Sequence, residues 1–406
     1  MAERQLDALA VRLHDQRIGV INRLAGDNYL FSFDEAYVNN PLRPTLSLSF
    51  KGTSGGLLTD VRPYNVRLPP FYSNLLPEGH LREYLAARAG VKVDRDFFLL
   101  AILGSDLPGA ISVTPVGAAA DDRHGDPAQA DHGQQPMRFS LAGVQLKFSA
   151  VMEASGGLTI QTDGLGGAWI LKLPSARFEA VPENEFAMME LARKIGIPVP
   201  NLKLVPLSAV EGLPRDIGKM AGSALAVQRF DRTPEGGRIH MEDFAQVFGI
   251  YADAKYSKRS YANIAQVLSA ESGDDAVMEF TRRLTFSVLI GNADMHLKNW
   301  SLLYLDRRTP SLAPAYDYVS TVPYLPNDRL ALGLGGSKEL TGITQDQIRR
   351  FADTARLAVS PLWRVVQETT EKTVAAWQSL DEKNILPAKI RTAIDDHMAK
   401  VAASIK

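Results

Sequence analysis

Residues 279–305, EFTRRLTFSVLIGNADMHLKNWSLLYL, constrain this chain more than any other stretch. Phe280, Leu284, Val288 and the neighbouring Leu289 recur at helical spacing, so a helix with an apolar face leads in. Gly291 and Asn292 are residues that stop a helix, and Trp300-Ser-Leu-Leu-Tyr-Leu reads as a strand leading out. The polar loop between them is therefore anchored at both ends by elements that seek burial. It presents Asp294, His296, Lys298 and Asn299 close together.

Asp294 and Asn299 have the D-x-x-x-x-N separation of a phosphotransferase loop, in which the Asp accepts the attacking hydroxyl's proton and the Asn holds Mg²⁺. Both residue types are also common in turns, so spacing alone leaves a turn reading open. Asp317, in LAPAYDYVST, lies beyond a short strand pair, where a hairpin would return it beside the loop; its bland reading is a turn cap. Phosphoryl transfer needs such a second carboxylate to bind the metal that bridges the phosphates. Lys172 in AWILKLP sits among apolar, β-prone residues, and its ammonium needs an anion there, with Glu183 or Glu185 on the next helix as candidates. Snorkelling from an edge strand is the other reading.

Around these residues the chain divides. Its 406 residues suit two or three structural units, and 45% apolar with 22% charged residues is a globular balance. Residues 1–116 alternate short strand-like segments (RIGVINRL, NYLFSF, PTLSLSF) with turns, then show a helical pattern in LREYLAARAGV, an α+β unit. NLLPEG (74–79) and GSDLPGAISV (104–113) read there as turn-shaping segments rather than binding ones. Residues 117–137, small, polar and without periodicity, read as a flexible linker or loop. From 138 to 232 FSLAGVQLKFSAVM, AWILKLP and ALAVQRFDR read as strands around a helix in PENEFAMMELARKIGIPVP, where Pro182 suits the first turn and Gly196 the C-cap. From about 241 the periodicity is helical almost to the end, with HMEDFAQVFGI opening that half on acids that complement a helix dipole.

Composition excludes several classes. There is no cysteine, hence no disulfide, thiolate zinc site or cysteine nucleophile. A net charge of −1 argues against a free-standing nucleic-acid binder. The charged N-terminus MAERQLDALAVRLHD and the absence of a long apolar run lead us to expect a soluble cytoplasmic protein with no membrane partner.

The ordered segments SLAGVQLK, ILKLP, NEFAMMELARKIGI, LAVQRFDR, EDFAQVFG, GNADMHLKN and AYDYVS, with NLLPEG and LPGAISV upstream, resemble the HipA-type toxin serine/threonine kinases over nearly the whole chain. The resemblance implies an α+β, two-lobed kinase-like fold with a β-rich N-lobe (138–232), a helical C-lobe (233–406) and an added N-terminal β-rich subdomain (1–116). It implies ATP and Mg²⁺ as cofactors, with Asp294 resembling the catalytic base and Asn299 and Asp317 the metal ligands. Lys172 resembles the phosphate-gripping lysine, and Ala142, Gly143, Val144, Gln145, Leu146 and Lys147 the phosphate loop. Gln228, Arg229 and Phe230 resemble the hinge against adenine, His296 and Lys298 match loop positions near the γ-phosphate, and Tyr316 precedes the metal aspartate. Ser140 matches an autophosphorylation site. Two departures stand out: Leu146 replaces a usual acid in the phosphate loop, and Gln228 replaces a usual glutamate in the hinge.

By the same resemblance the partners expected are a HipB-like helix-turn-helix antitoxin, operator DNA reached through it, and a protein substrate of the aminoacyl-tRNA synthetase class, glutamyl by type. Two rivals stay open: a kinase of a small molecule or lipid headgroup, and a catalytically silent co-repressor scaffold.

Overall fold

The computed structural model describes residues 6–117, 147–152, 158–160, 167–213 and 220–405. The expected linker, apart from Gly117, and Ser140, Leu141, Ala142, Gly143, Val144, Gln145 and Leu146 lie outside the described residues.

The N-terminal unit is built on a five-stranded sheet in the order Tyr64–Asn65, Asn28–Phe33, Gln16–Leu24, Ala8–Leu13, Ile111–Pro115, all neighbours antiparallel. Alternation along Ala8–Leu13 sends Leu9, Val11 and Leu13 into a core shared with Phe31, Phe71 and Phe97. Two helices, Gly79–Arg88 and Asp96–Leu103, follow the sheet's fourth strand in sequence.

The second unit is a six-stranded sheet ordered Val210–Glu211, Leu158–Ile160, Lys147–Met152, Trp169–Lys172, Ser223–Gln228, Leu202–Pro206. Leu171 and Leu173 enter its small core with Ala150, Val205 and Ala226. The two-residue period then turns Ile170 and Lys172 to the other face, over a cleft. Helix Val181–Lys194 starts with Pro182 in its first turn and ends before Gly196, whose φ of 86° is the left-handed geometry that glycine adopts cheaply. Its Met188, Met189 and Leu191 join the core of the helical unit, so this helix ties the two lobes together.

The helical unit packs Tyr261–Glu271, Asp274–Leu289, Gln345–Ala355, Val359–Gln378 and Ala388–Ser404 around one core. Two features of it differ from the sequence reading. His240–Asp243 is a strand paired with Ser301–Tyr304, which also pairs with Ser311–Leu312; the helix begins only at Phe244, with Asp243 as its N-cap. From Ile290 to Asp317 the chain is the loop and hairpin that the sequence suggests, but from Tyr318 to Thr344 it stays irregular rather than helical. The first follows from long-range pairing, since the partner of 240–243 lies some sixty residues downstream and leaves no local periodicity. Among the described residues no helix is long and apolar enough to cross a membrane.

Buried polar contacts lock the N-terminal unit onto the other two. Arg229 and Arg232 both bridge Asp106 of the GSDLPGAISV segment and Asp231, with every side chain in the group at most 12% exposed. Gly109 of that segment donates its backbone N–H to Asp231 at 2.7 Å. Its φ is 72°, and a Cβ there would come within 2.8 Å of the Met241 backbone nitrogen. A second tie runs from Glu242, fully buried, which accepts from the Ser47 hydroxyl, the Leu48 N–H and the Tyr304 hydroxyl.

Candidate active site

Every described candidate residue except Glu183 borders one cleft of about 1610 Å³ between the six-stranded sheet, the helical unit and the N-terminal unit. Lys172, 4% exposed, forms ion pairs with Glu185 and with Asp317. Helix periodicity decides the partner: Glu185 is buried on the inward face, whereas Glu183 lies in the first turn and is only half-buried. Burial works against the ammonium, yet the charges of Asp317 and Glu185 hold its pKa above the ordinary lysine value. Burial likewise pushes Glu185 up, opposed by Lys172.

Asp317 receives Lys172 at Oδ1 and Lys147 at Oδ2, the latter at 3.1 Å. Its burial would raise the carboxyl, but the two lysines hold it well below the usual carboxylate range. The residue sits at a φ of 57°, a left-handed conformation rare for a side chain, and its carbonyl accepts from Asn292 Nδ2 at 3.2 Å.

Across the cleft the loop after Asp274–Leu289 organises itself. Asn292 Oδ1 accepts from the Asp294 N–H at 3.0 Å, and Asn299 Nδ2 donates to the Asp294 carbonyl at 2.8 Å. Asp294 Oδ1 accepts from the Tyr256 hydroxyl at 2.7 Å. The residue is open to the cleft, while the protein around it pushes its pKa upward, chiefly by burial, against the hydrogen bond from Tyr256 and the charge of Lys255. His296 is buried, and burial lowers it to about 3, so the ring is neutral.

Some expected residues face elsewhere. Lys298 Nζ turns to Glu78 Oε1 at 2.8 Å and to the Asn74 carbonyl at 3.0 Å rather than to an open phosphate position. The guanidinium of Arg229 is committed to Asp106 and Asp231, so only its backbone is left for a hinge, and its N–H already donates to the Ala168 carbonyl at 2.8 Å. Gln228 Oε1 accepts from Asn201 Nδ2 at 2.8 Å, at the end of its strand. Phe230 lines the cleft and lies 5.6 Å, centroid to centroid, from Tyr316, whose hydroxyl buttresses the loop by donating to the Lys298 carbonyl at 2.9 Å.

The sequence reading missed Glu78, Lys255, Tyr256 and Asn292. Glu78 comes from NLLPEG, taken as turn punctuation, and pairs with both Lys255 (2.7 Å) and Lys298, which bring its carboxyl down to about 2 despite burial. A glutamate before a glycine in a Pro-bounded turn carries no local signal of these distant partners. Asn292 was read only as a helix stop, although its place two residues before Asp294 is the geometry of an Asx turn that would organise the loop.

A strand lysine paired to a helix glutamate, set across a cleft from a loop that carries Asp294 and Asn299 and beside a second aspartate, defines a two-lobed kinase-like architecture. Residues 139–377 match the HipA-like C-terminal domain and residues 9–114 the HipA N-terminal domain, and the chain belongs to the HipA family. It is 50% identical over 403 residues to the protein named "Putative kinase Y4dM" of Sinorhizobium fredii, covering 98% of each chain. With the "Serine/threonine-protein kinase toxin HipA" of Shewanella oneidensis it shares 27% identity over 371 residues, 80% of this chain and 78% of the relative. The fold is that of a HipA chain solved with HipB and operator DNA from Shewanella oneidensis, at a TM-score of 0.73 and 23% identity, covering 98% of this chain and 96% of the other.

Proposed function

We propose that this chain is an ATP-dependent serine/threonine protein kinase acting as the toxin of a toxin–antitoxin pair. The observation that carries the reading is the convergence of Lys172 and Lys147 on Asp317, with Glu185 paired to Lys172 and Asp294 lining the same cleft. Lysines of this kind neutralise phosphate oxygens, and a carboxylate such as Asp294 takes the acceptor hydroxyl's proton as the oxygen attacks the γ-phosphorus and ADP leaves. Lys172 is oriented by Glu185 whether or not Asp317 holds it, and Asn299 is oriented by its bond to the Asp294 carbonyl.

The donor set fits a hard divalent cation. Among the described residues no group of three or more His, Asp or Glu side chains forms an all-protein metal cage. The Asn299 amide spends its nitrogen on Asp294, which leaves its oxygen, with Asp317, as ligands. One or two protein oxygens completed by phosphates is how Mg²⁺ is commonly held. The cation would neutralise charge on the phosphates as they transfer.

The finer parts of the reading rest on family membership. The acceptor is a protein, by resemblance an aminoacyl-tRNA synthetase of the glutamyl type, and the partner is a HipB-like antitoxin that carries the chain to operator DNA, since this chain's own charge is −1. Ser140, beside the phosphate loop of Ala142 to Lys147, is the autophosphorylation site: about −1.5 to −2 charges there would repel bound triphosphate. Incubation with labelled Mg-ATP and a lysate, followed by mass spectrometry, is the test. Label in protein at serine or threonine supports the reading; ATP turnover with label only in small molecules would replace it with the small-molecule kinase.

A further inference from the structure

The Tyr256 hydroxyl bonds the carboxylate that the proposed reaction needs free. It donates to Asp294 Oδ1 at 2.7 Å, the contact an acceptor hydroxyl must make with a general base. Burial and the Asp294 charge raise the phenol's pKa, so the hydroxyl stays a donor at all working pH values.

The surroundings fix the backbone of Tyr256 and leave its side chain free to move. The Tyr256 carbonyl accepts from Lys338 Nζ at 3.1 Å, and the Lys255 carbonyl accepts from the Leu297 N–H at 3.3 Å. Lys255 Nζ is held by Glu78 of the N-terminal unit at 2.7 Å. The residue is 43% exposed and lines the cleft; its ring meets His296 by an edge contact, at 5.0 Å between centroids and 81° between planes, and the Lys255 ammonium lies 5.5 Å from the ring centroid. Turning the side chain outward therefore costs one hydrogen bond, one edge contact and one partly exposed cation–ring contact.

We propose that Tyr256 is an acceptor-mimicking gate: its hydroxyl occupies the acceptor's place on Asp294 Oδ1, keeps water from that oxygen in the resting enzyme, and is displaced when a substrate hydroxyl arrives. The inference rests on the kinase reading above. It makes Tyr256 a positioning residue, acting through Asp294 rather than on phosphate. Without an acceptor, the reaction it suppresses is hydrolysis. There a water oxygen bonds to the γ-phosphorus while the bond to the β–γ bridging oxygen breaks, ADP leaves with the electron pair, and Asp294 takes the water's proton.

The test is release of inorganic phosphate from Mg-ATP by the full chain with no protein acceptor, alongside equilibrium dialysis of Mg-ATP. Tyr256→Phe keeps the ring against His296 and removes the competing hydroxyl. The kcat for hydrolysis should rise about two- to tenfold, the worth of one hydrogen bond, at unchanged KM for ATP. The gain should vanish in the double variant Tyr256→Phe, Asp294→Asn. A merely structural tyrosine predicts loss or no change, so a gain with an unaltered melting temperature separates the two. Should Tyr256→Phe melt early, Tyr256→Leu, which also lacks the hydroxyl, carries the same expectation. Hydrolysis equal to or slower than the native rate, with Mg-ATP still bound, overturns the gate and leaves the kinase standing, as does a gain that survives Asp294→Asn. Failure of both native and variant chains to bind Mg-ATP overturns the kinase reading itself.

Discussion

Lys147 and Lys172 stand directly opposite each other on adjacent antiparallel strands, and both ammonium groups reach the carboxylate of Asp317. Like charges at facing positions destabilise a sheet unless an anion lies between them. In this structure Asp317 is that anion; in the proposed reaction the phosphates of ATP share the role. The sheet is thus built around a cationic pair whose counter-ion here is Asp317.

Removing one member of the buried group should cost stability as well as function. Lys172→Met leaves Glu185 buried without its partner, and a loss of about 3–5 kcal/mol in denaturant unfolding is expected. Glu185→Gln should cost less, about 1–2 kcal/mol, because Asp317 still pairs with the lysine and the amide oxygen still accepts. Equal losses in the two variants would contradict the shared-anion account.

Asp317→Ala and Asn299→Ala should each weaken Mg²⁺-dependent nucleotide binding by tenfold or more, since each removes one of few protein oxygens. Titration of Mg²⁺ at fixed ATP reads this directly. Unchanged affinity in both variants would move the metal to other residues.

The buried carboxyl of Glu242 makes stability pH-dependent at the contact between the N-terminal unit and the helical unit. Burial pushes it up to about 7, against hydrogen bonds from Ser47, Tyr304 and Leu48. The folded pKa lies above the unfolded one, so its contribution is fully present below the ordinary glutamate value and is lost as pH rises through about 7. Its neighbour Asp243, raised to about 6 mainly by burial, is present in both proteins to be compared. The stability of Glu242→Gln relative to the native chain should therefore rise between pH 5 and pH 8, by about 3 kcal/mol at most. Urea melts across that range read the difference; a pH-independent difference would contradict the assignment.

Those parts of the site that depend on local pattern were legible in the sequence. The switch from helical spacing to a polar loop to a strand exposed Asp294 and Asn299, and a lysine among apolar strand residues demanded the anions that Glu185 and Asp317 supply. Parts that depend on distant partners were not. The strand His240–Asp243 hides two acids whose bonds go to Ser47, Tyr304 and Gln246, so its sequence reads as a helix start. Glu78, Asp106 and Tyr256 likewise sit in turns or short helical loops whose only visible chemistry was that of chain reversal. The partners of Glu78 and Asp106 appear only where the N-terminal unit packs on the other two, as the Glu78 bridges to Lys255 and Lys298 illustrate, and that of Tyr256 lies 38 residues downstream at Asp294.

The most direct test of the central claim compares phosphate transfer from labelled Mg-ATP into protein by the native chain and by Asp294→Asn, with nucleotide binding measured on the same samples. The account predicts transfer by the native chain, its loss by at least about a hundredfold in the variant, and unchanged Mg-ATP affinity, because the amide cannot take the acceptor's proton. Transfer retained by Asp294→Asn, or none by a native chain that binds Mg-ATP, would contradict it.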